Sequence, residues 1–290
     1  MLRVLAAGWL AITLAFWGMR VLPGDFATAE LTTAGASQSA ITERQRQLGL
    51  DRPLSEQYLH FMGGLITGDL GQSFKTGERV GDMLALRLRS TLQLASTALV
   101  ISVVLGSSLA IATLSGHKSV RALASALSQL ALSIPLIVSA SLVVVAIGLF
   151  PPESPQNLLL AAGVLGFHAA SSIAVTLSSS LHEAQASNAI LTAHGKGLPP
   201  RLVLRRHILR LGIIPVIPVI AAQAAFLFGG TVITETLFSR TGLGRLMLDA
   251  VLSRDLPVVQ GVTVIAVALT IVALLVSEVM QRLADPRLSL

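Results

Sequence analysis

Six apolar stretches, at residues 4–22, 92–114, 123–149, 158–181, 211–233 and 258–279, are each long enough to cross a bilayer as a helix. A hydrocarbon core about 30 Å thick needs about 20 apolar residues of helix. Only helices or closed barrels satisfy every backbone group inside it. The runs therefore restrict the chain to an all-α, polytopic membrane fold with six transmembrane helices. Composition agrees, with 53% apolar residues against 12% charged and a mean hydropathy of +0.75. The net charge of +6 is not the mark of a nucleic-acid partner: one Tyr and two Trp accompany it, and no zinc-finger or RNA-recognition spacing occurs. The absence of cysteine excludes a disulfide framework and thiolate metal sites.

Charge orients the spans. Ten Lys and Arg lie on one set of short segments (Arg3; Lys118 and Arg121; Lys196, Arg201, Arg205, Arg206 and Arg210; Arg282 and Arg287). Only Arg240, Arg245 and Arg254 lie on the opposite short connections, the connection over 23–91 being too long to count under the rule. The positive-inside rule puts the first set, and with it both termini, in the cytoplasm. The first run has a second reading as a signal peptide, with Arg3 as its basic start and Ala27-Thr28-Ala29 as a cleavage motif. Arg20, at the outer end of the run and able to snorkel to the interface, favours a retained span. The expected organisation is a first transmembrane helix at 1–22, an external periplasmic subdomain at 23–91, and a five-helix core at 92–290 with a basic inner loop at about 182–211.

That loop contains "KGLPPRLVLRRHILR", five cations and no acid over 196–210. Gly-free, Ala-rich sequence from His182 to His194 predicts a helix, Gly195 and Gly197 a break, and Pro199-Pro200 the first turn of another. In the second helix Leu204, Ile208 and Leu211 fall at helical spacing, while Arg201/Arg205 and Arg206/Arg210 stack as like-charge pairs. Each such pair repels by a few tenths of a kcal/mol, which an acidic partner or anionic membrane lipid relieves.

The run "NAILTAHGKGLPPRLVLRRHILRLGIIP" resembles the EAA loop of ABC importer permeases of the dipeptide, oligopeptide and nickel branch, in which Ala-x-x-Lys-Gly-Leu precedes Arg-His and a proline opening the fifth span. "RVLPGD", "LGLDRPLSEQY", "GDLGQSF", "GGTVITETLFSRTGLGRLMLDAVLSRDLPVVQG" and "ADPR" extend the likeness in the expected order. The chain departs from the family pattern at "SSSLHE", where an Arg is usual, at Ala189-Ile190, at "LIVSA" after Pro135, and at Phe26. The resemblance implies a permease subunit carrying peptides, nickel or a related small solute. Its implied partners are a second homologous permease, cytoplasmic ATPase subunits and an external substrate-binding protein. It assigns ATPase coupling to Glu183, Ala193, Lys196, Gly197, Leu198, Arg201, Leu204, Arg205, Arg206, His207 and Ile208.

No G-x-x-x-x-G-K-[ST] phosphate loop occurs, so ATP and Mg belong to another chain and no cofactor is expected in this one. Ser115-Gly116-His117-Lys118 matches S-x-x-K without the rest of that set, and His182-Glu183 lacks the second His of a zinc-protease motif. Neither a catalytic nor a metal site is expected. His168, a polar ring within the fourth run, reads either as an interhelical hydrogen-bonding group or as a pathway residue. Thr234 and Glu235, beside Gly229-Gly230, are the other pathway candidates. An ion-coupled secondary transporter is the rival reading. Only Glu278, at the inner end of the last run, places an acid within the six runs as mapped, which disfavours it.

Overall fold

The computed structural model describes residues 2–21, 28, 31, 37–148, 150–151 and 154–284. Among these the structure is helical, with no strand and one antiparallel bridge between Gln72 and Arg79. The "PGD" residues after the first helix, Glu30, the residues flanking Thr28 in the cleavage motif, and the "DPR" residues lie outside the described residues. In chain order the helices are α1 (Leu2–Val21), α2 (Gln38–Gln47), α3 (Leu54–Thr67), α4 (Val80–Ala112), α5 (Lys118–Ser133), α6 (Leu136–Ile147), α7 (Pro155–Gln185), α8 (Asn188–Gly195), α9 (Pro200–Val203), a π-helical turn (Leu204–Ile208), α10 (Leu209–Ile213), α11 (Val216–Leu237), α12 (Leu243–Leu252) and α13 (Leu256–Ala284).

Among the described residues α4, α7, α11 and α13 are each long and apolar enough to cross a membrane, and α1 contributes a shorter apolar stretch, Ala6–Gly18. The run at 123–149 is not one straight helix. α5 and α6 bend by 102° at Ser133–Leu136. Pro135 is the cause: its ring pushes the preceding Ile134 into extended backbone (φ −97°, ψ 125°), and it supplies no N–H to continue the helix. α4 also begins well before the apolar run at 92, because Met83, Leu84, Ala85, Leu86, Arg87, Leu88 and Arg89 are all strong helix formers.

The chain forms two compact units. One comprises Met1–Thr91 and Thr241–Ile271. Its core joins Val80 and Leu84 to Leu243, Leu246, Ala250, Val258, Val259 and Val262. Gly261 permits this, since a Cβ there would stand 2.6 Å from Val80 Cγ1. α1 meets α3 through Thr13 and Tyr58, whose hydroxyls are 2.9 Å apart, and through the Phe16 ring against Tyr58 and Phe61. Arg20 lies with its guanidinium 3.6 Å from the Phe16 centroid and donates to Gln57 Oε1 from Nε and Nη2. The charge at the end of α1 is thus held by a ring and an amide rather than by an acid.

The other unit comprises Leu92–Arg240 and Val272–Leu290. α4 and α7 meet over glycine: a Cβ on Gly106 would lie 2.7 Å from the Ala170 carbonyl oxygen, and one on Gly166 would lie 2.8 Å from that of Ala98. The pairings rise together along both helices, so the two run parallel. Gly230 gives α11 the same freedom against Leu165, while Gly229 faces open space. Small residues let membrane helices approach to dispersion contact where no hydrophobic effect drives them together. Ser178 and Ser180 donate to carbonyls of their own helix, Val175 and Thr176, so they bridge nothing.

Candidate functional site

The basic loop is a compact two-helix device. α7 stops at Gln185 and α8 starts at Asn188, so the helix expected over 182–194 is interrupted. Ser187 takes extended backbone there (φ −74°, ψ 150°), and its hydroxyl donates to the Ala184 carbonyl at 2.7 Å. α8 closes in a Schellman motif: Gly197 N–H donates to His194 O at 2.9 Å and Leu198 N–H to Ala193 O at 3.3 Å. Gly197 sits at φ +71°, the left-handed region that a Cβ disfavours. Nothing lies within 4 Å of where that Cβ would be, so backbone conformation, not crowding within this chain, calls for glycine. Pro199 and Pro200 then start α9, with Pro200 at its first position.

The second helix differs from its expected register. At Leu204–Ile208 it widens into a π turn, in which Leu209 N–H reaches Leu204 O. A π turn bonds each residue to the fifth along and shifts the facing row. The buried row is therefore Val203, Ile208 and Gly212; Leu204 is half-buried and Leu211 is 44% exposed. Leu211 thus supplies no contact to this core, contrary to the expected Leu204, Ile208, Leu211 stripe. Val203 and Ile208 enter one cluster with Ile190 and Ala193 of α8, Leu181 and Ala184 of α7, and Val216 of α11. Gly212 completes the join, its Cβ position 2.7 Å from Leu181 Cδ2.

Above this core the loop presents its charge outward. Glu183, Lys196, Gly197, Arg201, Arg205 and Arg206 are exposed, and Leu198 and His207 are half-buried. Arg205, Arg206, His207 and Arg210, with Ala189 and Leu211, border an open cleft of about 840 Å³. The eleven residues singled out for coupling in the sequence therefore lie on the end of α7 (Glu183) and on the two-helix loop, partly as its core and partly as its surface.

The pathway candidates lie elsewhere. His168 Nε2 is 2.6 Å from Ser139 Oγ, linking α7 to the start of α6 just past the bend. Thr234 and Glu235 are fully buried, and Thr234 Oγ1 turns back to the Gly230 and Thr231 carbonyls at 3.3 Å. Among the described residues no group of three or more His, Asp or Glu is placed to hold a metal.

Two polar clusters gave no advance signal. Asn157, fully buried, donates to the Phe238 carbonyl at 2.9 Å and accepts from Arg240 at 3.4 Å, fixing the turn after α11. Asp255, also buried, accepts from Ser73 Oγ at 2.5 Å, Phe74 N–H at 3.0 Å and Lys75 N–H at 3.4 Å. This joins "GDLGQSF" to "SRDLPVVQG". Each was a motif in the sequence, but their contact was not readable from it.

Residues 102–290 match the family model described as the binding-protein-dependent transport system inner membrane component. The chain belongs to this family. It is a permease subunit and not an enzyme, a multi-pass inner-membrane protein of a transporter whose ATPase is a separate chain. The permease is 33% identical over 296 residues to the dipeptide transport system permease protein DppB of Bacillus subtilis, covering 99% of this chain and 95% of the relative. It is 31% identical over 298 residues to DppB of Lactococcus lactis, covering 97% and 95% respectively. It is also 31% identical over 261 residues to the glutathione transport system permease protein GsiC of Escherichia coli, covering 87% and 85%. A crystal structure of an amino acid ABC transporter superposes with a TM-score of 0.58 at 18% identity, covering 70% of this chain and 94% of that one, and so supports the fold.

Proposed function

We propose that this permease imports peptides, as one half of a membrane pathway completed by a second homologous permease, powered by cytoplasmic ATPase subunits and fed by an external binding protein. Two dipeptide permeases and a glutathione permease among its relatives support small peptides over nickel. The six-span topology has both termini inside, counts the bent α5–α6 pair as one crossing, and leaves 23–91 outside.

The observation that carries the coupling role is the shared core of the basic loop. Ile190, Ala193, Val203 and Ile208 are packed with the ends of α7 and α11, so a force on the loop moves those spans as one body. ATP and Mg bind the partner ATPases. Their closure displaces the two-helix loop through its outer surface (Glu183, Lys196, Gly197, Leu198, Arg201, Leu204, Arg205, Arg206 and His207), and the attached spans rock between inward- and outward-facing states. His168, Thr234 and Glu235 act in this reading as packing groups that hold the moving helices together.

Affinity purification of the full-length chain from its native membranes is the test. An ATPase and a second permease should accompany it, and cells lacking the chain should lose dipeptide uptake. Purification with neither partner, or a reporter at Lys196 reading as external, would overturn the reading. Nickel uptake lost in place of dipeptide uptake would replace the substrate and leave the coupling role intact.

A further inference from the structure

We propose that the arginine cleft beside the π turn is a binding site for the headgroup of an anionic phospholipid. Arg205, Arg206 and Arg210 border it together with His207, and among the described residues none of the three has a carboxylate within 4.0 Å. No acid occurs between Glu183 and Glu235, so the chain offers these cations no local counter-charge. The π turn lies inside this run, with Leu209 N–H on Leu204 O, and Arg205, Arg206 and Arg210 border one cleft on the outer side of the buried Val203 and Ile208. A π turn is a rare and less favourable geometry that concentrates at functional sites.

The rim of the cleft selects lipid over a soluble anion. Leu211, on the rim, is 44% exposed, and Ile213 beyond it is 52% exposed; both lead into α11, the apolar helix that starts at Val216. A phosphate on the guanidiniums would thus have its acyl chains beside apolar side chains at the membrane end of the same segment. Forked guanidinium donors match a phosphodiester in charge and in geometry. Basic pockets at the cytoplasmic ends of spans are where such headgroups are held. The inference rests on the membrane reading of α11 and on the loop facing the cytoplasm, but not on the ATPase contact.

The test uses the full-length permease with whatever partners purify with it, in nanodiscs of phosphatidylethanolamine alone or with phosphatidylglycerol, followed by mass spectrometry of the lipid retained after detergent washing. The wild type should retain phosphatidylglycerol preferentially. Arg205→Gln/Arg206→Gln/Arg210→Gln should lose that preference, by roughly a factor of five per cation and about 100-fold for three. The corresponding triple Lys variant, which keeps the charge, should retain most of it and shows whether the fold survives. Arg210→Gln alone, outside the residues assigned to ATPase contact, should weaken lipid retention while the ATPase still copurifies. Equal retention of both lipids by the wild type overturns the proposal. So does displacement of phosphatidylglycerol by inorganic phosphate at equal concentration, which would make the ligand a soluble phosphate. Lipid retention unchanged in the triple Gln variant while the ATPase is lost would leave Arg205 and Arg206 with the ATPase contact alone and overturn the lipid site.

Discussion

Replacing Gly197 isolates one backbone angle. Its φ of +71° costs an L side chain roughly 1–2 kcal/mol, and no atom within 4 Å would add a steric term for Ala. Gly197→Ala should therefore lower the population of the closed turn by roughly 5–30-fold, through the angle alone. Gly197→Val should do worse because a β-branched side chain is less tolerant still, and Gly197→Asn should lie closest to wild type, since Asn visits this region. The affected bonds are those of Gly197 to His194 and Leu198 to Ala193, so hydrogen exchange at these two amides reads the turn directly. Membrane level should stay normal while ATPase copurification and uptake fall together in the order Asn, Ala, Val. Faster exchange with full ATPase association and uptake in Gly197→Val would refute the docking role of the turn while leaving its geometry standing. Unchanged exchange would refute the geometry itself.

Asp255→Ala removes a buried acceptor of three hydrogen bonds, and at about 1–3 kcal/mol for buried donors left unsatisfied it should expose the Gly68–Arg79 segment to limited proteolysis; protection equal to wild type would contradict the bridge between Ser73 and Asp255. Gly166→Leu should abolish assembly, because even its Cβ would stand 2.8 Å from the Ala98 carbonyl, whereas Gly229→Leu, at a position with nothing within 4 Å, should leave the yield of folded permease unchanged. His168→Ala breaks the contact with Ser139 and should reduce the yield of assembled complex by an amount reflecting about 0.6 kcal/mol, with substrate ranking unchanged; normal yield with altered ranking would move His168 into the pathway.

The long apolar helices were legible because hydrophobic length is a property of consecutive residues. Pro135 was equally visible, yet counting apolar residues over 123–149 passed over it: hydropathy registers side chains, and the 102° bend arises from a missing N–H and a displaced φ/ψ at Ile134. The turn at Gly197 was legible for the opposite reason, since glycine between two short helices has few other uses. The π register was not legible. Val203, Ile208 and Gly212 face inward because α7 and α11 offer a core there, a tertiary preference that overrides the regular spacing of Leu204, Ile208 and Leu211. Ser73 and Asp255 stand 182 positions apart, and neither local composition nor period carries information about their meeting. Arg240 counted in the sequence only as an external charge; burial against Asn157 makes it a structural part of the turn after α11.

The bend between α5 and α6 also bears on how the chain enters the membrane as it is made. At about 1.5 Å per residue, the 16 residues of α5 reach about 24 Å and the 12 of α6 about 18 Å, so neither spans the roughly 30 Å of hydrocarbon alone. α5 moreover carries Lys118, Arg121, Gln129 and four serines, poor credentials for leaving the translocon unaided. The carbonyls left open at the end of α5 are tolerable in lipid only against protein or water. α7, whose His168 meets Ser139 at the start of α6, is synthesised after both. On the six-span topology proposed above, the segment is expected to wait beside the translocon or near the interface until α7 emerges. Insertion of this stretch is accordingly a cooperative late step, and truncation of the nascent chain before α7 should leave α5 and α6 accessible to water-borne reagents.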